Sequence, residues 1–337
     1  MGTDSASVVS ARRTTAASTA LISHSEASVR SRVNYVLARL IAKPMYRVWP
    51  LNDTGIRALN LLDGAFALVP APSTVVQSVT ELDSVPIERY VPQRDADDAL
   101  AGATVLYLHG GGFTFCGAGT HRRVTSRLAG LLAVPVYSVI YRQLPFAGVG
   151  TAVHDAYAAY RRLLEICPDP GKVIVAGDSS GAFLAAKICE LAAADGIAMP
   201  AAYIGYSTHV NLDVDLRDHA VICRDALMPV SAYTRAKQKW TRGPVDLRGA
   251  RSLLQIDPAV FPPTFLTVAA KEMFEADIVE FAQLLGDGGR DVEAHVWQRQ
   301  VHAFPVLDGL LPESLQAVGL TAEFLRRVLG ARSSTAA

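Results

Sequence analysis

Residues 172–194 constrain the fold of this chain more than any other stretch. Lys172–Ala176 (KVIVA) is a β-branched run with the character of a buried strand. It passes without a linker into Gly177-Asp178-Ser179-Ser180-Gly181, and Ala182–Ala194 then reads as a helix. A strand that turns straight into a helix is half of a βα unit, and the same rhythm recurs on both sides. Val85–Val91 and Thr104–Leu108 read as strands, His121–Leu132 as a helix and Val134–Tyr141 as a short apolar run. Val153, Ala156, Tyr157, Tyr160, Leu163 and Leu164 form a helical stripe. Farther on come strand Thr264–Ala269, helix Ala276–Leu285, strand Val292–Trp297 and helix Glu313–Leu329. Alternation of this kind predicts a mostly parallel sheet with helices on both faces, because parallel neighbours need crossovers that pack back onto the sheet.

Several function classes fall away on composition. The 337 residues are half apolar and 19% charged, enough to bury a large core, and Lys+Arg equals Asp+Glu at 32 each. No net field exists to hold a polyanion, so nucleic acid is excluded as a partner. No run approaches 18 apolar residues, which argues against stable membrane insertion. Cys116, Cys167, Cys189 and Cys223 show neither CxxC nor zinc-type spacing, so they read as reduced thiols of a cytoplasmic protein that needs no metal. Nor is there a glycine-rich nucleotide motif to imply a cofactor.

The flanks are less regular. Residues 1–27 are rich in Ser, Thr and Ala and read as a loose leader. From there Val29, Val33, Val36, Leu37, Leu40 and Ile41 recur at helical spacing, with Arg30, Arg32, Arg39 and Lys43 mostly elsewhere on the wheel and Pro44 marking the expected end. A basic amphipathic helix can lie on a membrane surface; the expectation here is that its apolar stripe packs onto the protein's own body. Between about Tyr206 and Asp257 the βα rhythm breaks. That stretch, with a helical patch around Tyr233–Trp240, reads as an insertion over the sheet.

Gly177–Gly181 is a G-x-S-x-G pentapeptide in the strand–turn–helix setting that a nucleophilic serine requires. The turn must be strained enough to push the Ser179 hydroxyl clear of the backbone, and the glycines let strand and helix approach. On its own the pattern also fits an ordinary strand-to-helix turn. His109-Gly110-Gly111-Gly112-Phe113, directly after a strand, adds bare backbone N–H groups that can converge on a developing negative charge. A serine nucleophile needs a base. Of eight histidines His302 is the best placed, following strand Val292–Trp297 after Gln298-Arg299-Gln300. His109 reads as structural within the glycine loop, and His24, His121, His154, His209, His219 and His295 as surface or core residues. The acid should follow an intervening strand: Glu272 lies three residues past Thr264–Ala269, with Glu275 the nearer competitor and Asp277 and Glu280 inside the following helix.

With HGGGF and GDSSG on the page, and Ser179, Glu272 and His302 in that chain order, the sequence resembles the bacterial hormone-sensitive-lipase-like branch of α/β-hydrolase esterases. The likeness runs from about Ala103 to Leu329. Tyr141-Arg142-Gln143-Leu144-Pro145 is similar to that family's YRLAP segment, and Val301-His302-Ala303-Phe304 to its segment around the catalytic histidine. The resemblance implies an α/β-hydrolase fold with Ser179 as nucleophile, His302 as base and Glu272 as acid. It implies an oxyanion hole from Gly111, Gly112 and the N–H of Ser180, supported by His109, Gly110 and Asp178. Residues 28–70 and 206–255 would form a helical cap, residues 71–205 and 256–330 the catalytic core, and residues 331–337 a tail. The chain departs from the family at Glu272-Met273-Phe274, where an Asp turn is usual, at Phe146, where Glu is usual, and at Gly148-Val149-Gly150, which replaces a proline-bearing stretch.

The expected function is hydrolysis of carboxylic esters with short to medium acyl chains through an acyl-enzyme, using no cofactor or metal. The expected partner is a small-molecule ester, with homo-oligomerisation left open. The charges Asp213, Asp215, Arg217 and Asp218 suggest a short, partly polar pocket. An amidase or deacetylase acting on a specialised metabolite would use the same machinery. A non-catalytic ligand-binding homologue could lose Ser179 or His302, yet this chain keeps both.

Overall fold

The computed structural model describes residues 19–213 and 224–335. Nine strands form one sheet: β1 (Thr19–His24), β2 (Val75–Leu82), β3 (Val85–Pro92), β4 (Thr104–Leu108), β5 (Val136–Val139), β6 (Val173–Asp178), β7 (Ala202–Tyr206), β8 (Thr264–Ala269) and β9 (Val292–Trp297). Their spatial order is β1-β9-β8-β7-β6-β4-β5-β3-β2. Only β2, β3 and the β3–β5 contact are antiparallel, and every other neighbouring pair is parallel.

The central strands are covered on both sides, as near-continuous apolar runs demand. On β4, Leu106 and Leu108 face the cluster built with α5 (Val149–Ile166), α6 (Ser180–Asp195) and α8 (Glu275–Asp287). Val105 and Tyr107 face the opposite cluster, built with α4 (Ala118–Leu132) and α9 (Pro312–Thr335). This period-two division follows from the alternation of side chains along a strand. One consequence places the site. The glycine loop, Ser179, Ser207, Glu272 and His302 lie just beyond the C-terminal ends of β4, β6, β7, β8 and β9 respectively, where open parallel sheets gather their ligand sites.

Three expectations about the flanks need correction, and residues 1–18 of the expected leader lie outside the described residues. Residues 19–24 are not a loose leader: they add β1 in parallel to the outer edge of β9, from Thr19 opposite Val292 to His24 opposite Trp297. The signal was weak because TALISH mixes polar and apolar residues without alternation. Nor does the first helix stop at Pro44. α1 (Val29–Leu37) runs through a π-helical turn at Ala38–Ala42 into α2 (Lys43–Val48), and Pro44, which has no N–H to donate, falls where the π-turn passes into that last piece.

The apolar stripe of this helix also faces the wrong way for the expected packing. Val29, Val33, Val36, Leu37, Leu40 and Ile41 are exposed, while the small residues Ser31 and Ala38 are buried. Ser28 and Ser31 fasten the inner face by hydrogen bonds to the carboxylate of Glu313. Next comes α3 (Asp53–Phe66), started by the Asn52 side chain accepting from Gly55 N at 2.8 Å. In the second flanking segment α7 (Val230–Lys237) meets the end of α2, where the Arg235 guanidinium donates to the carbonyls of Tyr46, Arg47 and Trp49. No helix among the described residues is long and apolar enough to cross a membrane.

Candidate active site

Ser179 occupies the turn between β6 and α6 with φ 51° and ψ −120°, a conformation that L-residues avoid and that surrounding structure must enforce. Its N–H donates to Tyr206 O (2.8 Å) and its carbonyl accepts from His209 N (3.1 Å). The glycine at 181 is required by proximity: a Cβ there would lie 2.0 Å from Leu108 O and 2.4 Å from His109 O. Only hydrogen at this position lets α6 press against the glycine loop. Oγ of Ser179 then stands 2.8 Å from Nε2 of His302.

The glycine loop is fixed by Asp178. This buried carboxylate accepts from Tyr107 OH (2.9 Å) and Gly110 N (3.0 Å) and pairs with Nε2 of His121 at 3.1 Å. Burial would push Asp178 up, but the neighbouring His121 holds its carboxyl below the usual range; the same pairing lifts His121 against the opposing effect of burial. The sequence offered no partner for His121, since a separation of 57 positions from Asp178 hides the contact. Gly111 takes φ 112°, and a Cβ there would meet Phe115 O at 1.9 Å, so the loop can tighten only with glycine. Gly112 N donates to Oγ of Ser180 at 2.9 Å, which fastens the loop to the first turn of α6. His109 is buried under Tyr141, whose ring stacks on it at 4.2 Å and whose hydroxyl donates to His109 O at 2.7 Å. Burial first, and the nearby His121 second, lower His109 to about 4, which suits a neutral structural ring.

Glu272 is buried at the turn after β8. Its Oε2 lies 3.4 Å from Nδ1 of His302 and accepts from the Ser207 hydroxyl at 2.9 Å, while Oε1 has no hydrogen-bond partner. Burial raises the Glu272 carboxyl and His302 counters it. For His302, burial favours the neutral ring, and the carboxylates of Glu272, Asp225 and Asp178 outweigh it, so its pKa rises. The Nδ1–carboxylate distance is long for a hydrogen bond, a common state of such groups before a reacting ligand tightens them. Glu275 is turned elsewhere: its carboxylate accepts from Lys271 N at 2.7 Å.

Two positioning groups were invisible in the sequence. Ser207, buried with φ 50° just after β7, donates to Glu272 and accepts from Ala303 N at 2.9 Å, so one hydroxyl ties the acid's turn to the histidine's loop. Asp225, also buried, accepts from Leu227 N (2.7 Å), Met228 N (2.8 Å) and Met273 N (2.8 Å), which fastens the second flanking segment to the residue after Glu272.

In front of Ser179 and His302 lies a cavity of about 640 Å³. Its walls carry Tyr46, Trp49 and Leu59 from the N-terminal helices, with Met228, Tyr233 and Trp240 from the second segment. Trp240 Nε1 donates to Gly112 O at 3.0 Å, so the wall also braces the glycine loop. His209, read earlier as a surface or core residue, lines the cavity, stacks on Phe274 at 4.6 Å and bonds Tyr233 OH at 3.0 Å. Of the four charges from which a partly polar pocket was expected, Asp213 alone is among the described residues. Asp213 pairs on the surface with Arg251 at 2.7 Å and does not line the cavity, and Asp215, Arg217 and Asp218 lie outside the described residues.

Comparison with known proteins agrees with this geometry. Residues 105–306 match the family model described as alpha/beta hydrolase fold. The carboxylesterase/phospholipase LipF of Mycobacterium tuberculosis is 30% identical over 315 residues, covering 90% of this chain and 83% of LipF. An acetyl-hydrolase of Streptomyces hygroscopicus is 30% identical over 230 residues, 68% of this chain and 77% of that protein. The crystal structure of the hormone-sensitive-lipase homologue EstE7, from a metagenome library, superposes with a TM-score of 0.74 at 25% identity, over 89% of this chain and 98% of EstE7. With a 202-residue family match centred on this glycine loop, elbow and histidine, the chain belongs to the α/β-hydrolase fold family and, within it, to the bacterial hormone-sensitive-lipase-like carboxylesterases.

Proposed function

We propose that this carboxylesterase is a serine hydrolase working through an acyl-enzyme, with Ser179 as nucleophile, His302 as base and Glu272 as the acid that orients the imidazole. The observation that carries the reading is the 2.8 Å approach of Oγ of Ser179 to Nε2 of His302 at a strained elbow. Oγ attacks the ester carbonyl carbon as its proton passes to Nε2. The carbonyl oxygen becomes an oxyanion, which this reading assigns to the N–H groups of Gly111, Gly112 and Ser180, the Gly112 N–H turning to it from Oγ of Ser180. Collapse breaks the C–O bond to the leaving alcohol, which takes the proton back from the imidazolium. Water then repeats the sequence on the acyl-enzyme and frees the acid. Glu272 stabilises the imidazolium in both halves.

In this reading residues 28–70 and 206–255 act as a cap, since both contribute walls of the one cavity. That cavity lies within the ordinary range for small-molecule clefts. Its apolar walls suit the acyl group of a small ester, of roughly two to eight carbons. A cytoplasmic setting belongs to the same reading, supported by the free thiols of Cys116, Cys167 and Cys189. The test is Ser179→Ala, assayed on p-nitrophenyl esters of increasing length and by fluorophosphonate labelling. The variant should lose label and fall below about a thousandth of the parent kcat, a scale set by triad knockouts, with an unchanged circular dichroism spectrum. Retained labelling would reassign the nucleophile, and a kcat/KM still rising at palmitoyl would overturn the chain-length assignment.

A further inference from the structure

The 20 residues of α1, the π-turn and α2 form one rod about 30 Å long at 1.5 Å per residue. Its polarity is inverted for a helix on a protein surface. Small residues face inward, and the bulky aliphatics face out: Val29 is 76% exposed, Leu40 68%, Ile41 62% and Val48 79%. Spacings of 4, 3 and 4 residues set Val29, Val33, Val36 and Leu40 along one stripe, and Ile41 and Val48, seven residues apart, widen it to one side, so the exposed face is continuous rather than scattered.

The charges say what can cover that face. Arg30, Arg32, Arg39 and Arg47 lie along the rod, no Asp or Glu occurs from Ala27 to Asn52, and Lys43 is held by the carbonyl of Asp225. A second copy packed across a twofold axis would set this rod against itself, four guanidinium groups against four with no carboxylate of the rod to neutralise them. An anionic lipid surface meets both requirements at once. Acyl chains take the aliphatic side chains, and headgroup phosphates take the guanidinium groups, whose long stems let them reach sideways.

The rod also leads to the site. Tyr46 and Trp49 at its end line the cavity in front of Ser179, and its terminal carbonyls are bound by Arg235 of α7. We propose that this helix is a peripheral docking surface for anionic membranes, lying in the headgroup plane and holding the cavity at the lipid boundary. The helix does not span the bilayer. Docking of this kind would admit esters dissolved in lipid without passage through water, and it stands independently of the roles assigned to Ser179, Glu272 and His302.

The full chain should co-sediment with vesicles of phosphatidylcholine plus phosphatidylglycerol, and much less with phosphatidylcholine alone or at high salt. Arg30→Gln with Arg39→Gln should weaken the anionic-vesicle partition roughly thirtyfold, at about 1 kcal/mol per basic residue near such a surface. Leu40→Gln with Ile41→Gln should weaken it roughly 150-fold, at about 1.5 kcal/mol per aliphatic side chain withdrawn from an apolar phase. All variants should hydrolyse a water-soluble short ester at the parent rate, which reports on the fold and the site separately. Partition that ignores phosphatidylglycerol, or that survives both double variants, overturns the proposal. So does a dimer in light scattering that Leu40→Gln with Ile41→Gln dissociates, which would make a second copy the occupant.

Discussion

Removing the Ser207 hydroxyl tests how the acid is held. Its Oγ makes two hydrogen bonds of 2.9 Å, a buried one donated to the Glu272 carboxylate and a part-buried one accepted from Ala303 N, next to His302. A bond to a charged acceptor contributes about 1.5–3 kcal/mol and a neutral one about 0.5–1.5 kcal/mol. Ser207→Ala should therefore destabilise the fold by roughly 2–4 kcal/mol in denaturant unfolding. Activity should change in a more specific way. Oε1 of Glu272 has no partner, so without Ser207 the carboxylate keeps only two 3.4 Å contacts, with Ala269 N and with His302 Nδ1. We expect kcat on a short p-nitrophenyl ester to fall about 10- to 100-fold with little change in KM, short of the loss from removing a triad acid outright. The acid limb of the pH–rate profile should move down, because a displaced Glu272 no longer raises His302. Ser207→Gly is the control: it relieves the φ of 50° but also lacks the hydroxyl. If Ser207→Gly restores kcat, or if Ser207→Ala keeps more than half of it, the hydroxyl bridge is not what positions the acid.

Three further outcomes follow from the same geometry. Glu272→Gln should lower kcat by on the order of a hundredfold to ten-thousandfold, as amide replacement of a triad acid does; Glu275→Gln and Asp277→Asn, compared on one ester, should cost far less, since Glu275 is engaged with Lys271 N. His302 must be neutral to accept the proton, so activity should vanish as pH falls through its raised pKa, giving a parent acid limb above the ordinary histidine value and a lower one in Glu272→Gln, read from kcat/KM against pH. Asp178→Ala should cost about 3–5 kcal/mol in urea unfolding, because it strands His121 and the Gly110 N–H in the interior.

The parts legible in the sequence were those whose chemistry is local. A strand that becomes a helix across Gly177–Gly181 announces a turn with few solutions, and three glycines after β4 announce exposed N–H groups. Position past a strand end was enough to favour Glu272 over Glu275. Ser207, His121 and Asp225 escaped because each acts on a residue 48 to 96 positions away, and nothing beside them in the chain marks the partner. The first helix shows a different limit. Periodicity revealed that Val29–Ile41 has an apolar face, but which face is covered depends on what the remaining chain offers, and here it offers Glu313 to the serines. The wall of the cavity was opaque because Trp240 owes its role to the glycine loop and Tyr233 to His209, not to any repeat in their own segment.

The strand at Thr19–His24 decides where this chain can be shortened. Trimming to residue 28, as a leader reading would suggest, strips β9 of a six-residue parallel partner. It also uncovers Trp297, on which the His24 ring lies at 3.6 Å, and removes the bond from His24 Nε2 to His295 Nδ1 at 2.9 Å. The bared rim of β9 would then present a row of unpaired N–H and C=O groups beside an aromatic surface, the arrangement that invites edge-to-edge aggregation. A trimmed protein that precipitates would thus have lost a seal on its sheet rather than any part of its chemistry.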